Sequence, residues 1–506
     1  MRGLLAITVV LATSCNYSSF EDCSIACNDG ACPDGFTCGA EGLCRLDGAG
    51  GLCSDDPDPN ADCTPGSTAA CYTGPAGTRN VGACQGGTRT CSAAGRWNEC
   101  EGEVLPAAEE CGDALDNDCN GSTDENDDLD GDGFSTCTTG GGAADCCDTD
   151  ADCDDPASVN PGAFDIPGNA VDDDCNLATD DQILCDATLS SGSTSAYDFA
   201  KAMELCNRAT TTDMKWGVIT AKLSLASGSG TPDAQGHAIR PGFGPGGEAQ
   251  LGDSLAIISS GGAAAKLDTN PSFHAFSGYQ HVQGPTSAMP SDWLTANANV
   301  LPKAPGCPQP TETTANDPVM LTFTIRVPSN AKSFELLTGF YSADYPEYMC
   351  STLNDYFLVL LDSQFTGAPA NPTDKNLAFY KPTGSTSKVP IGVNLARFTG
   401  GMFTECLNGA TGCASGGTPG TMSACTGTDM LEDTGFDDPA ASACEATSIV
   451  GGGTGWLVTR GNVVPGETIT LRIVIWDQGD GILDSLAVLD GFRWKTALAT
   501  PGTTKL

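Results

Sequence analysis

The stretch Val319-Met320-Leu321-Thr322-Phe323-Thr324-Ile325-Arg326-Val327 is apolar at every second position. Successive side chains of a strand point to opposite faces, so this alternation predicts a strand with one face in a core. Ile469, Leu471, Ile473 and Ile475 alternate in the same way with Thr470, Arg472 and Val474. Residues 334–341, 356–361 and 486–489 are apolar almost throughout, which predicts strands buried more completely. Loops rich in Gly, Ser, Thr and Pro separate these segments, and residues 197–208 read as one amphipathic helix. Several strands and one helix predict a mainly β protein whose residues 187–497 form a β-sandwich or jelly roll, with a tail at 498–506. Cys307, Cys350, Cys406, Cys413, Cys425 and Cys444 lie mostly in its loops and could pin them.

The chain ahead of this domain has a different character. At 506 residues there is room for about two to four domains. The formal charge of -42 repels nucleic acid phosphate and anionic lipid headgroups, which excludes both as ligands. No Lys or Arg occurs between Arg96 and Lys201, while Asp and Glu crowd the same interval. Such uncompensated charge opposes compaction, so a cation is expected to neutralise it, and oxygen ligands favour a hard divalent metal. Asp128, Asp130 and Asp132 alternate, Gly133 permits a sharp turn, and the Phe134 carbonyl can add a ligand. An EF-hand would need a glutamate at the loop's twelfth position, where Thr139 stands, and flanking helices, which the pattern lacks. The closing acid must therefore come from further along, with Asp145, Asp148, Asp152, Asp154 and Asp155 as candidates. The competing reading is a solvated acidic linker.

An internal repeat frames this loop, within an acidic region spanning 101–186. Leu115-Asp116-Asn117-Asp118-Cys119-Asn120 recurs as Val171-Asp172-Asp173-Asp174-Cys175-Asn176. Cys111 precedes Cys119 in the first copy, but Pro167 stands at the equivalent place in the second. If Cys111 pairs with Cys119, Cys175 needs another partner, for which Cys153 is a candidate. Residues 16–62 and 63–100 read as two small Cys-rich modules shaped by bridges, the first ending in a Gly/Asp/Pro linker. Thr88, Thr90 and Trp97 could belong to a short hairpin in the second. Arg2 followed by the short apolar run 4–12 predicts an export signal within residues 1–15. A cytosolic zinc protein fits poorly, because all three His lie outside the Cys-rich half and no Cys-x-x-Cys pair stands out.

Several of these motifs carry family resemblances. Leu11-Ala12-Thr13-Ser14-Cys15 resembles a bacterial lipobox, with Leu11 one position early, which implies a lipid on Cys15. The chain has 27 Cys, so lipidation of one leaves an even number for disulfides. Residues 23–44 are similar to EGF-like and related small modules. Residues 128–181 resemble the MopE-type metal-binding repeat of bacterial surface proteins. The carrying motifs are 128–133, Asp152-Cys153-Asp154-Asp155, Asn160-Pro161-Gly162-Ala163 and Asp172-Asp173-Asp174-Cys175. This extends the expected ligand set to Asp172 and Asp174. Copper prefers His, Met or thiolate, and this segment has no His or Met, so calcium is the expected ion.

The C-terminal region resembles the choice-of-anchor L domain. Trp216-Gly217-Val218-Ile219, Gly252-Asp253, the stretch 340–348, Asn354-Asp355, Val464-Pro465-Gly466-Glu467 and 477–485 carry the likeness. It implies a bacterial surface location and no enzymatic role. The expected protein is an exported, lipid-anchored surface protein of the bacterial outer membrane. Its acidic stalk would be stiffened by calcium, and its head would bind a cell-surface glycan or protein. Asp477, Asp480 and Asp484 could form a second metal site or a tight loop. Tyr341, Tyr345, Tyr348 and Trp456 could stack on sugars, although aromatics in a sandwich are more often core. Two alternatives differ in class. Metal sequestration would make the acidic segment the working end. A glycan hydrolase would use Asp344, Glu347, Asp355, Asp480 or Asp484, two of which must then face each other across a cleft.

Overall fold

The structure is a computed structural model. It describes residues 32, 36–38, 44–46, 63–107, 114–123, 128–136, 144–149, 153–179, 184–212, 214–276, 284–346, 348–398, 400–406, 425–439, 449–479 and 481–506. Cys15, Cys111, Asp152, Glu347 and Asp480 lie outside the described residues. The chain divides into two compact units, one of residues 1–129 and 135–144, the other of 130–134 and 145–506.

The first unit is held by cysteines. Phe36–Cys38 pairs antiparallel with Cys44–Leu46, and Thr68–Cys71 with Gly87–Thr90. A bridge between Cys91 and Trp97 extends the second ladder, and the Arg89 guanidinium lies 4.9 Å from the centre of the Trp97 ring. Bridges Cys63–Cys91, Cys71–Cys100 and Cys84–Cys119 surround a small core of Tyr72, Cys84 and Cys119. The expected Cys111–Cys119 pairing is therefore corrected. Cys119 turns inward with a left-handed φ of 64° and meets Cys84, whose neighbour Ala83 bonds to the carbonyl of Asp116 at 2.8 Å.

The second unit contains a β-sandwich. Its strands are β1 Gly217–Ser224, β2 His237–Arg240, β3 Leu255–Ser259, β4 Thr314–Arg326, β5 Ser333–Ser342, β6 Tyr356–Asp362, β7 Gly452–Asn462, β8 Thr468–Asp477, β9 Ser485–Lys495 and β10 Gly502–Lys505. One sheet runs β10-β7-β5-β9-β3-β2 and the other β6-β8-β4-β1, with all neighbours antiparallel. Leu321, Phe323 and Ile325 of β4 and Leu471 and Ile473 of β8 meet Phe334, Leu336 and Leu489 of the facing sheet in one core. The nearly continuous apolar runs have a simple cause. Tyr356, Leu358 and Leu360 on the outer face of β6 are covered by a second cluster around Trp293, and Leu486 and Val488 of β9 by a third around Phe243 and Phe436.

The helix predicted for 197–208 is shorter and has a companion. Helix α1 spans Ala196–Lys201, and the chain then leaves helical geometry with Glu204 at φ 63°. Ala202, Met203 and Leu205 still enter the core, which explains why their pattern resembled more helix. Cys206 is tied to Cys185, and Arg208 bridges Val218 at the start of β1. Helix α2, Ser291–Ala296, was not expected. It exists to place Trp293 edge-on against Tyr356 and Trp476, at 5.8 Å from each. Cys307 pairs with Cys350 and Cys406 with Cys425.

Candidate metal centres in the acidic segment

The loop 130–134 and residues from 145 onward build two carboxylate groups within the second unit. The loop forms because each aspartate bonds the backbone two residues on. Asp132 N donates to Asp130 Oδ1 at 3.0 Å, and Phe134 N to Asp132 Oδ1 at 2.8 Å. Gly131 and Gly133 lie between them at φ 81° and 96°, conformations that a side chain disfavours. The chain therefore curls and turns its carboxylates together. Phe134 anchors the curl, because its ring occupies the space a side chain at Gly162 would need, 2.6 Å from that position.

Asp145 completes the group. Oxygens of Asp130, Asp132 and Asp145 all lie within 4.8 Å of one another. Asp145 is 5 % exposed. Its Oδ1 accepts Cys147 N at 2.9 Å, while its buried Oδ2 has no hydrogen-bond partner among the described residues. Burial, with Asp132, Asp130 and Asp148 nearby, pushes its carboxyl up to about 6. Asp148 is buried beside the loop and accepts Asp130 N at 3.4 Å. Oxygen ligands alone, carried by clustered carboxylates, fit calcium by ligand type.

The second group joins Asp165, Asp172 and Asp174, again within 4.8 Å. Asp172 Oδ1 accepts Asn176 N at 3.0 Å and its Oδ2 accepts Leu177 N at 2.8 Å. The first unit repeats this turn on its own. Asp116 Oδ1 accepts Asn120 N at 3.1 Å and Oδ2 accepts Gly121 N at 3.0 Å. Cys119 and Cys175 share left-handed φ values of 64° and 58°. The sequence repeat is thus a repeated backbone turn. Asp173 instead ties the turn shut, accepting Ile166 N at 2.9 Å.

Some candidates stand outside these two groups. Asp154 and Asp155 are exposed, and Asp155 caps the short turn Pro156–Ser158 and accepts Ser158 Oγ at 2.9 Å. Neither joins a carboxylate group of described residues. Asp128 belongs to the first unit and is exposed. Cys153 pairs with Cys147, and Cys175 with Cys146, which corrects the expected Cys153–Cys175 bridge. The adjacent cysteines Cys146 and Cys147 each take one partner, a division that spacing does not reveal. Asp165 was missed, because its partners Asp172 and Asp174 meet it only once the loop between them closes.

The candidate head carboxylates among the described residues are interior groups. Asp344, Asp355, Asp477 and Asp484 are 1–4 % exposed, so a sugar could not reach them for hydrolysis. Asp355 Oδ1 accepts Gln478 N at 3.0 Å. Burial first, then Asp344, raises the Asp355 carboxyl well above the usual range. Asp484 presses against Gly261, where an added Cβ would lie 2.0 Å from Oδ2. Tyr341 and Tyr345 are 1 % exposed and packed on Phe436 and Phe403 respectively, which removes them as a sugar platform.

Residues 257–492 match the family described as the Choice-of-anchor L domain. The match begins within β3, ends within β9 and takes in strands of both sheets, with β1, β2 and β10 outside it. No curated protein and no solved structure matches the chain. The match marks a β-rich, surface-associated protein. Among the described residues no helix is long and apolar enough to cross a membrane.

Proposed function

We propose that this is an exported surface protein whose acidic loops take up calcium and whose sandwich head binds another surface component. The lipobox-like Cys15 supports a lipid anchor at the outer membrane. The observation that carries the calcium reading is the group of Asp130, Asp132 and Asp145, with a buried carboxylate oxygen left for a cation. A cation there would neutralise like charges held together in a partly buried loop. The loops also brace the head. Asn330 Oδ1 accepts Phe164 N at 3.1 Å, and Ser329 N donates to the Gly162 carbonyl at 2.9 Å. A calcium ion in these loops would stiffen the support of β5, which begins at Ser333. The two carboxylate groups also suit a second reading, metal sequestration.

The test is calcium titration of the oxidised full chain, followed by melting and limited proteolysis with and without chelator. A ligand bound only by the folded state stabilises it by mass action. Calcium is expected to raise the melting temperature and protect residues 128–181. If neither changes, the acidic segment is a solvated linker. Sequestration would require high-capacity uptake without any change in head stability.

A further inference from the structure

A large groove of the head reverses the charge of the rest of the chain. It holds about 960 Å³ along the β10-β7-β5 side of the six-stranded sheet. Among the described residues Lys381, Lys388, Arg460, Lys495 and Lys505 line it, against one carboxylate, Glu335. The whole chain carries 23 Lys and Arg against 65 Asp and Glu, so this ratio is the opposite of the surroundings. Glu335 is already engaged, by Arg460 at 2.8 Å and Lys495 at 3.2 Å. Lys381, Lys388 and Lys505 are exposed and form no ion pair among the described residues. Grouped cations repel one another and raise the local concentration of anions.

From this groove we infer a binding site for an anionic oligosaccharide. The volume lies at the upper end of small-molecule sites, roughly 300–1,000 Å³, which suits several sugar rings better than a lone ion. Half-buried Tyr380 contributes aromatic surface and exposed Pro369 adds apolar surface, on which sugar C–H faces can rest. Lys388 Nζ stands 4.8 Å from the ring centre of buried Phe379, which seats this exposed cation at the groove. The inference rests on the head being the binding end and names its ligand class.

The probes are hexagalacturonate and the neutral maltohexaose, titrated into the full chain by calorimetry, in calcium and in chelator. Hexagalacturonate is expected to bind, weakening with salt, and maltohexaose to bind at least tenfold more weakly. The combined Lys381→Glu, Lys388→Glu and Lys505→Glu variant should lose at least tenfold in affinity while melting like the parent. Lys222→Glu, on the other sheet, should change nothing. Equal binding of both sugars, full displacement by equimolar inorganic phosphate, or an unaffected triple variant would each overturn the inference. So would self-association that the triple variant abolishes, since the occupant would then be the acidic surface of a second copy. Loss of binding in chelator with the fold intact would move recognition to calcium, overturning this site while leaving a calcium-dependent binding protein in place. If another glycan binds the head and hexagalacturonate does not, the ligand class fails and the binding role stands.

Discussion

Glu204 shows how much chemistry a single backbone conformation can set. It follows α1 at φ 63°, and its Oε2 accepts Gly491 N at 2.8 Å. Asp490 beside it accepts Leu251 N at 3.2 Å and also Gln250 N. Burial first, then the charge of Asp490, drives the Glu204 carboxyl far above its ordinary range. The folded state therefore holds a proton that the unfolded chain releases near pH 4.3. Stability on this account is highest below that pH and falls as pH rises toward the raised value. Glu204→Gln keeps an acceptor for Gly491 and a donor toward Asp490 without the proton. It should melt several degrees higher than the parent at pH 8 and equally at pH 4. An equal shift at both pH values would show that charge is not the cause. Leu177 offers the opposite case. It is 98 % exposed and held at φ 75°, at the position equivalent to Gly121 in the first repeat. Leu177→Gly relieves the strained backbone and keeps the bond from N to Asp172. It should stabilise the oxidised protein by about 1 kcal/mol in denaturant unfolding, and any loss of stability would show that the side chain packs.

At the scale of elements, the acidic turns were legible because their geometry is local. An aspartate bonds the backbone two to five residues on, and both copies of the repeat do so with the same atoms. What joins distant loops was not legible. Asp145 reaches Asp130 and Asp132 across the residues between, and Asp165 was missed for the same reason. Cystine partners depend on that closure as well, so Cys119 and Cys175 were recognisable as bridge formers but not assignable. The sandwich could be read from period-two alternation, whereas α2 could not, because one buried tryptophan on a single turn leaves no periodicity. Removing the Asp145 carboxylate should expose the difference between a loop turn and a metal site. Asp145→Asn keeps the bond from Cys147 N but lacks the charge. It should weaken calcium binding at least tenfold by calorimetry while the chelated protein melts no lower than the parent. Unchanged affinity would assign Asp145 to the turn alone.

Across the whole molecule, charge is distributed unevenly, and that separates two effects of calcium. Outside the groove, several cations of the head are held in specific pairs. Arg472 meets Asp292 at 2.6 Å and Asp362 at 3.3 Å, and Lys375 meets Asp292 at 2.9 Å. These contacts hold the Asp292 carboxyl below the usual range, although burial alone would raise it. The acidic segment supplies no cation of its own, since no Lys or Arg occurs between Arg96 and Lys201. Self-repulsion at -42 should therefore lower the melting temperature of the chelated chain at low ionic strength. Sodium chloride should raise it gradually as the screening length shortens from about 30 Å at 0.01 M to about 8 Å at 0.15 M. A built site adds a second, saturable component. Calcium at millimolar concentration should raise the melting temperature beyond sodium chloride of equal ionic strength. It should also exceed magnesium, which demands a stricter octahedron and gives up its water reluctantly. If magnesium and matched sodium chloride reproduce the whole calcium shift, the acidic loops respond only to screening, and the carboxylate groups are turns without a resident ion.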